Sequence, residues 1–89
     1  MSDRVAALSS RHLLPLAKEV CASRGVLLHE LLGATRSRSV VRARHELWWR
    51  VRHHPDRCYS LPEIGRLFGK DHTTILAGIE AHARRSAPT

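Results

Sequence analysis

Four consecutive side chains, Asp71, His72, Thr73 and Thr74, set a carboxylate, an imidazole and two methyl-bearing hydroxyls side by side. Such groups can read base edges in a major groove, where a carboxylate accepts from an exocyclic amine and a threonine methyl packs on a thymine methyl. Asp71 has a plainer duty as the N-cap of a helix, and the two duties are compatible. Other chemistry does not assemble. Residues 65–71, GRLFGKD, have the look of a phosphate-cradling glycine loop. They lack one residue between the glycines, carry Asp71 where Ser or Thr would hold magnesium, and follow a helix rather than a strand. His45 and Glu46 lack the second histidine of a zinc protease. His53, His54 and Cys58 lack a fourth ligand at a recognised spacing. The expectation is no enzyme, no metal and no cofactor, with Cys21 and Cys58 as free thiols, Cys21 in the core.

The elements that position these groups are legible nearby. Ser60 with Glu63 three residues on has the form of a capping box, so a helix begins near Leu61. Ile64, Leu67 and Phe68 supply its apolar stripe and Gly69 its left-handed stop. A second helix then starts at Asp71 with Ile75, Leu76, Ile79 and Ala83 as the inner face, leaving His72, Thr73, Thr74, Ala77 and Glu80 outside. Two short helices joined by a tight turn form a helix-turn-helix. Upstream, a helix over residues 11–24 is expected, capped by Ser9 or Ser10, with Pro15 in its first turn and Leu13, Leu16, Ala17, Val20 and Cys21 inward. A short helix over 26–32 ends at Gly33. A long one over 39–53, capped by Ser39, turns Val40, Ala43, Leu47, Val51 and one of Trp48 or Trp49 inward, with the other tryptophan partly exposed. The reading is an all-α fold of about five helices: a short segment over 1–10, a domain over 11–85, and a frayed tail over 86–89.

The stretch over 60–79 closely resembles the C-terminal DNA-binding domain (domain IV) of DnaA, the bacterial replication initiator. SLPEIG, then FG, then DHTT carry the match in order, and RSRSV over 36–40 with Arg42 and Arg44 resembles the basic loop and helix start that precede it. Helices over 12–32 match mostly in apolar spacing. The resemblance implies a Trp-repressor-like helix-turn-helix on double-stranded DNA at an initiator-box-like site. It implies base reading by Asp71, His72 and Thr73 and a minor-groove contact by Arg36, where narrow A·T-rich grooves favour an inserted guanidinium. Backbone contacts are implied for Arg44, His45, Arg52, Leu61, Pro62 and Thr74, with Lys70 joining them; Leu61 and Pro62 act through the backbone at a helix N-terminus. Three departures stand out: the turn before Asp71 is one residue shorter than the family's, the loop over 53–59 is longer, and the initiator's ATPase domain is absent. The last predicts a free-standing module without the nucleotide-dependent filament.

Composition agrees. Eighty-nine residues suffice for one small helical core. Lys plus Arg number 15 against 8 acids, a net charge of +7, and between Arg36 and Arg57 stand seven arginines against Glu46 and Asp56 alone. That excess suits nucleic acid. The sequence has no long apolar run and no secretion-signal pattern, so a cytoplasmic, nucleoid-associated location and no membrane partner are expected. A monomer that regulates transcription is the leading functional reading, for instance in a phage-like or gene-transfer element. Occupancy of initiator boxes to control replication is the alternative. A third is an adaptor whose first helix or Trp49 docks a protein such as polymerase or a sigma-type factor. Membrane-surface binding through the arginine-rich helix is weak, since the core already uses that helix's apolar face.

Overall fold

Glycine and capping residues set where most of the helices stop and start. The computed structural model of the chain describes residues 3–86; Met1, Ser2 and residues 87–89 of the expected tail lie outside the described residues. Among the described residues six helices run in order: α1 Asp3–Ser10, α2 Leu14–Arg24, α3 Leu28–Leu32, α4 Arg38–Arg52, α5 Leu61–Phe68 and α6 His72–Ser86. The fold is all-α.

The sixth helix is a correction to the expected five, because residues 3–10 are helical. Ser9 and Ser10, expected to cap α2, end α1 instead, and the Ser10 hydroxyl donates to the Ala7 carbonyl at 3.0 Å. His12 takes a left-handed conformation at φ 58° and lets the Leu13 N–H reach back to the Leu8 carbonyl at 2.8 Å. That bond spans five residues, as in the closure glycine usually provides. It recurs with glycine at Gly25, where Val26 N–H bonds the Cys21 carbonyl. So α2 begins at Leu14 rather than residue 11, with Pro15 in its first turn. α3 starts two residues later than expected, and α4 follows Ser37, not Ser39, in the N-cap position.

The core gathers residues from all six helices, with Leu8, Leu13, Val20, Leu47, Val51, Ile64 and Ile75 at its centre. α4 is the hub: α6, α2, α3 and α5 all pack on it, while α1 closes over α5 and α2. Glu46, buried on α4, accepts from Arg24 Nε at 2.5 Å, which ties α2 to α4, and from Arg50 Nε of its own helix at 2.9 Å. Cys21 is buried, Cys58 exposed, and both are free. Trp48 is the buried tryptophan; Trp49 is half-buried between His53 and His82.

The inner face of α6 is the second correction. It consists of Ile75, Gly78, Ile79 and His82, whereas Leu76 and Ala83 are exposed. Both sets have helical spacing, and a close approach decides between them. A Cβ on Gly78 would fall 2.6 Å from two carbons of the Trp48 ring and 2.7 Å from the His45 ring. Only the smallest residue lets α6 lie on Trp48, so the face rotates to put Gly78 there.

Candidate nucleic-acid interface

The helix pair is built from reciprocal bonds. Glu63 N–H donates to Ser60 Oγ at 3.2 Å and Ser60 N–H to Glu63 Oε1 at 3.1 Å, which completes the capping box. These bonds, and the positive charges of Arg57 and Arg11, hold the Glu63 carboxyl below its ordinary pKa against the opposing effect of burial. At the far end Gly69 is left-handed at φ 66°, and Lys70 N–H reaches the Gly65 carbonyl at 2.8 Å. Gly65 is needed for this return, since a Cβ there would fall 2.5 Å from the Lys70 carbonyl oxygen. The short turn thus closes in three residues, Gly69, Lys70 and Asp71. Asp71 Oδ1 then accepts from Thr73 N–H at 3.2 Å and opens α6.

This end of α6 faces outward. Asp71, His72, Thr73 and Thr74 are all exposed, with His72 Nδ1 3.2 Å from Asp71 Oδ1. Leu76, 41% exposed, follows one turn after His72 and Thr73. Of the first-turn amides of α5, that of Ile64 bonds the Ser60 carbonyl and that of Glu63 the Ser60 hydroxyl. Pro62 has no N–H, so Leu61 alone keeps a free donor. Lys70 is exposed, and its ammonium has no bonded partner among the described residues.

Arg44 is where the structure departs most from the expected contacts. It is only 8% exposed. Its Nε donates to the Leu31 carbonyl at 2.8 Å, and its Nη2 to those of Glu30 at 2.8 Å and Gly33 at 2.7 Å. These are the carbonyls at the negative end of α3, so the guanidinium caps that helix and anchors the loop over 33–37. Burial and the nearby Arg36 charge lower its pKa. A phosphate contact, the expected role, does not fit a side chain so enclosed. Arg36 itself is exposed in the loop that Arg44 anchors, and Gly33, Arg44 and Lys70 line one small cavity that joins this loop to the turn before α6.

Arg52 and His45 are intermediate. Arg52 Nη1 donates to the Tyr59 carbonyl at 2.5 Å and fastens the long loop, whose Tyr59 is buried beneath the Arg57 guanidinium while Arg57 pairs with Glu63. His45 Nδ1 lies 3.0 Å from Arg85 Nη2. Burial first, then the charges of Arg85, His82 and Arg44, lower its pKa.

Leu76, Arg38 and Arg42 are exposed and fall outside the expected contact set. The two arginines stand in the basic run that the sequence displays, but charge alone does not say which arginines of a helix face inward. Leu76 carries no such signal, because apolar type argues for the core. Among the described residues no group of three His, Cys, Asp or Glu side chains could hold a metal ion. No helix among them is long and apolar enough to cross a membrane.

Known proteins match this chain through the same elements. It is 47% identical over 53 residues to a chromosomal replication initiator protein DnaA of Picosynechococcus sp., an alignment covering 58% of this chain and 11% of the relative. A DnaA of Synechococcus sp. is 42% identical over 62 residues, 68% of this chain and 13% of the relative. One of Roseiflexus castenholzii is 41% identical over 66 residues, 73% and 13%. The chain therefore spans about an eighth of the length of these curated relatives. No solved structure matches it significantly. The family model of the bacterial dnaA protein helix-turn-helix matches residues 16–81, from within α2 to within α6, and the chain belongs to that family.

Proposed function

We propose that the chain binds double-stranded DNA sequence-selectively, with the first turn of α6 in a major groove and Arg36 in the adjoining minor groove. The observation that carries this is the shared surface of two elements: the exposed Asp71, His72 and Thr73 at the start of α6, and the Arg36 loop that Arg44 and the Lys70 cavity hold beside it. Asp71, His72 and Thr73 read bases, and Leu76 offers an apolar surface to a thymine methyl. Lys70, Thr74, Leu61, Pro62, Arg52 and His45 meet the backbone, Leu61 through its free N–H and Pro62 by packing its ring, since it has no amide hydrogen to donate. Arg44 acts indirectly, by fixing the loop.

The relatives are named as replication initiators, which favours sites of the initiator-box kind and occupancy of such boxes. Regulation of transcription follows from the same binding if the sites lie in promoters. Selecting bound sequences from a random duplex pool tests the binding, and the genomic positions of the selected sequence separate the two uses. We expect one dominant sequence with an A·T-rich flank. A pool that stays random after selection overturns the reading.

A further inference from the structure

The arginines divide by whether the protein itself engages them. Arg24 and Arg50 bind Glu46, Arg57 binds Glu63, Arg44 and Arg52 bind carbonyls, and Arg85 binds His45. Arg38, Arg42 and Arg84 are exposed with no hydrogen bond or ion pair among the described residues. Arg38 and Arg42, one turn apart on α4, line with Ser23, Arg24 and Ser39 an open groove of ≈ 550 Å³ at the end of α2. Arg85, on α6, feels the charges of this group: burial, then Arg42, Arg24 and Arg84, lower its pKa. No carboxylate lines the groove, and Glu46, which Arg24 reaches, is already engaged by Arg24 and Arg50.

The lining distinguishes between kinds of polyanion. Three guanidiniums and two hydroxyls are the donors that hold phosphodiester oxygens. A protein partner is usually anchored by an aromatic or aliphatic pocket, and this groove offers none. Position narrows it further. Arg38 stands two residues after Arg36, Arg42 one turn beyond, and Arg85 within reach of the Arg42 charge, so the charges form a track leading from the Arg36 loop. At about 1.5 Å rise per residue, Arg85 lies roughly 20 Å along α6 from His72, at the end remote from the base-reading turn.

We propose that Arg38, Arg42 and Arg85 form a second backbone-binding surface that holds phosphates of the same duplex flanking the read site on the Arg36 side. The inference rests on the proposed function above. It makes the footprint longer than the helix-turn-helix and the minor-groove arginine require, and asymmetric.

The test compares the duplex selected from the random pool, trimmed to its minimal length, with versions extended by about one helical turn at one end or the other. Wild-type protein should gain affinity from one extension only. If two phosphates are added, that gain should shrink about twelvefold between roughly 50 and 200 mM salt. The double variant Arg38→Gln, Arg42→Gln should lose the gain and bind the minimal duplex as wild type does, with an unchanged urea midpoint as the check on folding. Binding of the minimal duplex with no gain at either end overturns the second surface alone. So does an equal loss by the variant on both duplexes, or a complex holding two duplexes on one protein. If wild type selects no sequence at all, the base-reading proposal falls and the flanking surface with it.

Discussion

Replacing Arg44 by alanine separates two roles that the sequence leaves indistinguishable. The side chain makes three hydrogen bonds of 2.7–2.8 Å to carbonyls at the end of α3. A hydrogen bond to a charged group contributes about 1.5–3 kcal/mol net. Three that share one guanidinium are not additive, and water re-enters part of the vacated space, so we expect a loss of about 2–4 kcal/mol. A domain of this size holds about 5–13 kcal/mol in all. With a urea dependence of about 1 kcal/mol per molar, the unfolding midpoint should fall by about 2–4 M. Arg44→Lys should remain destabilised by more than half of that, because one ammonium cannot stand in for donors at both Nε and Nη2. Below the transition, where the variant is still folded, affinity for the selected duplex should drop mainly through its A·T-rich flank, since the Arg36 loop has lost its anchor. The salt dependence should stay as in wild type. An unchanged midpoint with a log–log salt slope smaller by about one unit would instead mark a phosphate contact and refute the capping role.

Thr73→Ala should cost about 1–3 kcal/mol on the best site and little on random duplex, with stability unchanged because Asp71 caps α6 through the Thr73 backbone N–H; equal weakening on both duplexes would show that α6 does not read bases there. Gly78→Ala reverses the usual rule. In an ordinary helix interior it gains about 1 kcal/mol, whereas here the new Cβ would stand 2.6 Å from the Trp48 ring and overpacking should cost about 1–3 kcal/mol. The loss should shrink in a Trp48→Leu background, where only the His45 ring at 2.7 Å still crowds the new Cβ, and a stabilised single variant would show that α6 shifts freely. Stability should also fall with acidity. His45 and His82, on the seam between α4 and α6, both have lowered pKa values, chiefly through burial; around His82 the Glu46 charge opposes this while Arg24, Arg85 and Arg50 add to it. Stability is then full above the unfolded histidine value of about 6.5 and declines below it, as the unfolded chain takes up protons that the folded chain resists. The depressed Glu63 adds its own loss only at lower pH, below about 4.3. Urea midpoints between pH 7.5 and 5 check this, and a flat profile over that interval would be incompatible with it.

Local signals made α5 and α6 legible. Ser60, Glu63, Gly69 and Asp71 act on backbone groups within a few residues of themselves, so their meaning does not depend on the rest of the fold. α1 was not legible for a related reason. Its end is closed by His12 in a conformation usually left to glycine, and Ser9 and Ser10 have the same composition whether they end one helix or begin the next. The face of α6 failed on type rather than spacing. Gly78 and His82 are not apolar by composition, and their burial depends on Trp48 and Trp49, which belong to another helix. No periodicity within α6 carries that information.

The basic run before the helix-turn-helix shows the same limit in charge. Arg42 and Arg44 are two residues apart on α4, which at about 100° per residue sets them on nearly opposite faces. One is exposed beside Arg85, and the other is enclosed by the carbonyls of α3. A count of arginines treats them alike, yet only the first adds to the field a polyanion meets. The net charge of +7 is therefore a poor guide to how many phosphates the surface engages. That number depends on the cations left without partners, Arg36, Arg38, Arg42, Lys70 and Arg84 among them, and on whether they lie along one path. The enclosed arginines act earlier in the chain of causes: Arg44 sets the loop from which Arg36 projects, and Arg24 through Glu46 and Arg50 through Glu19 hold α2 against α4. Arginine thus has two uses in this fold, to build the surface and to charge it, and what separates them is which face of α4 each residue occupies.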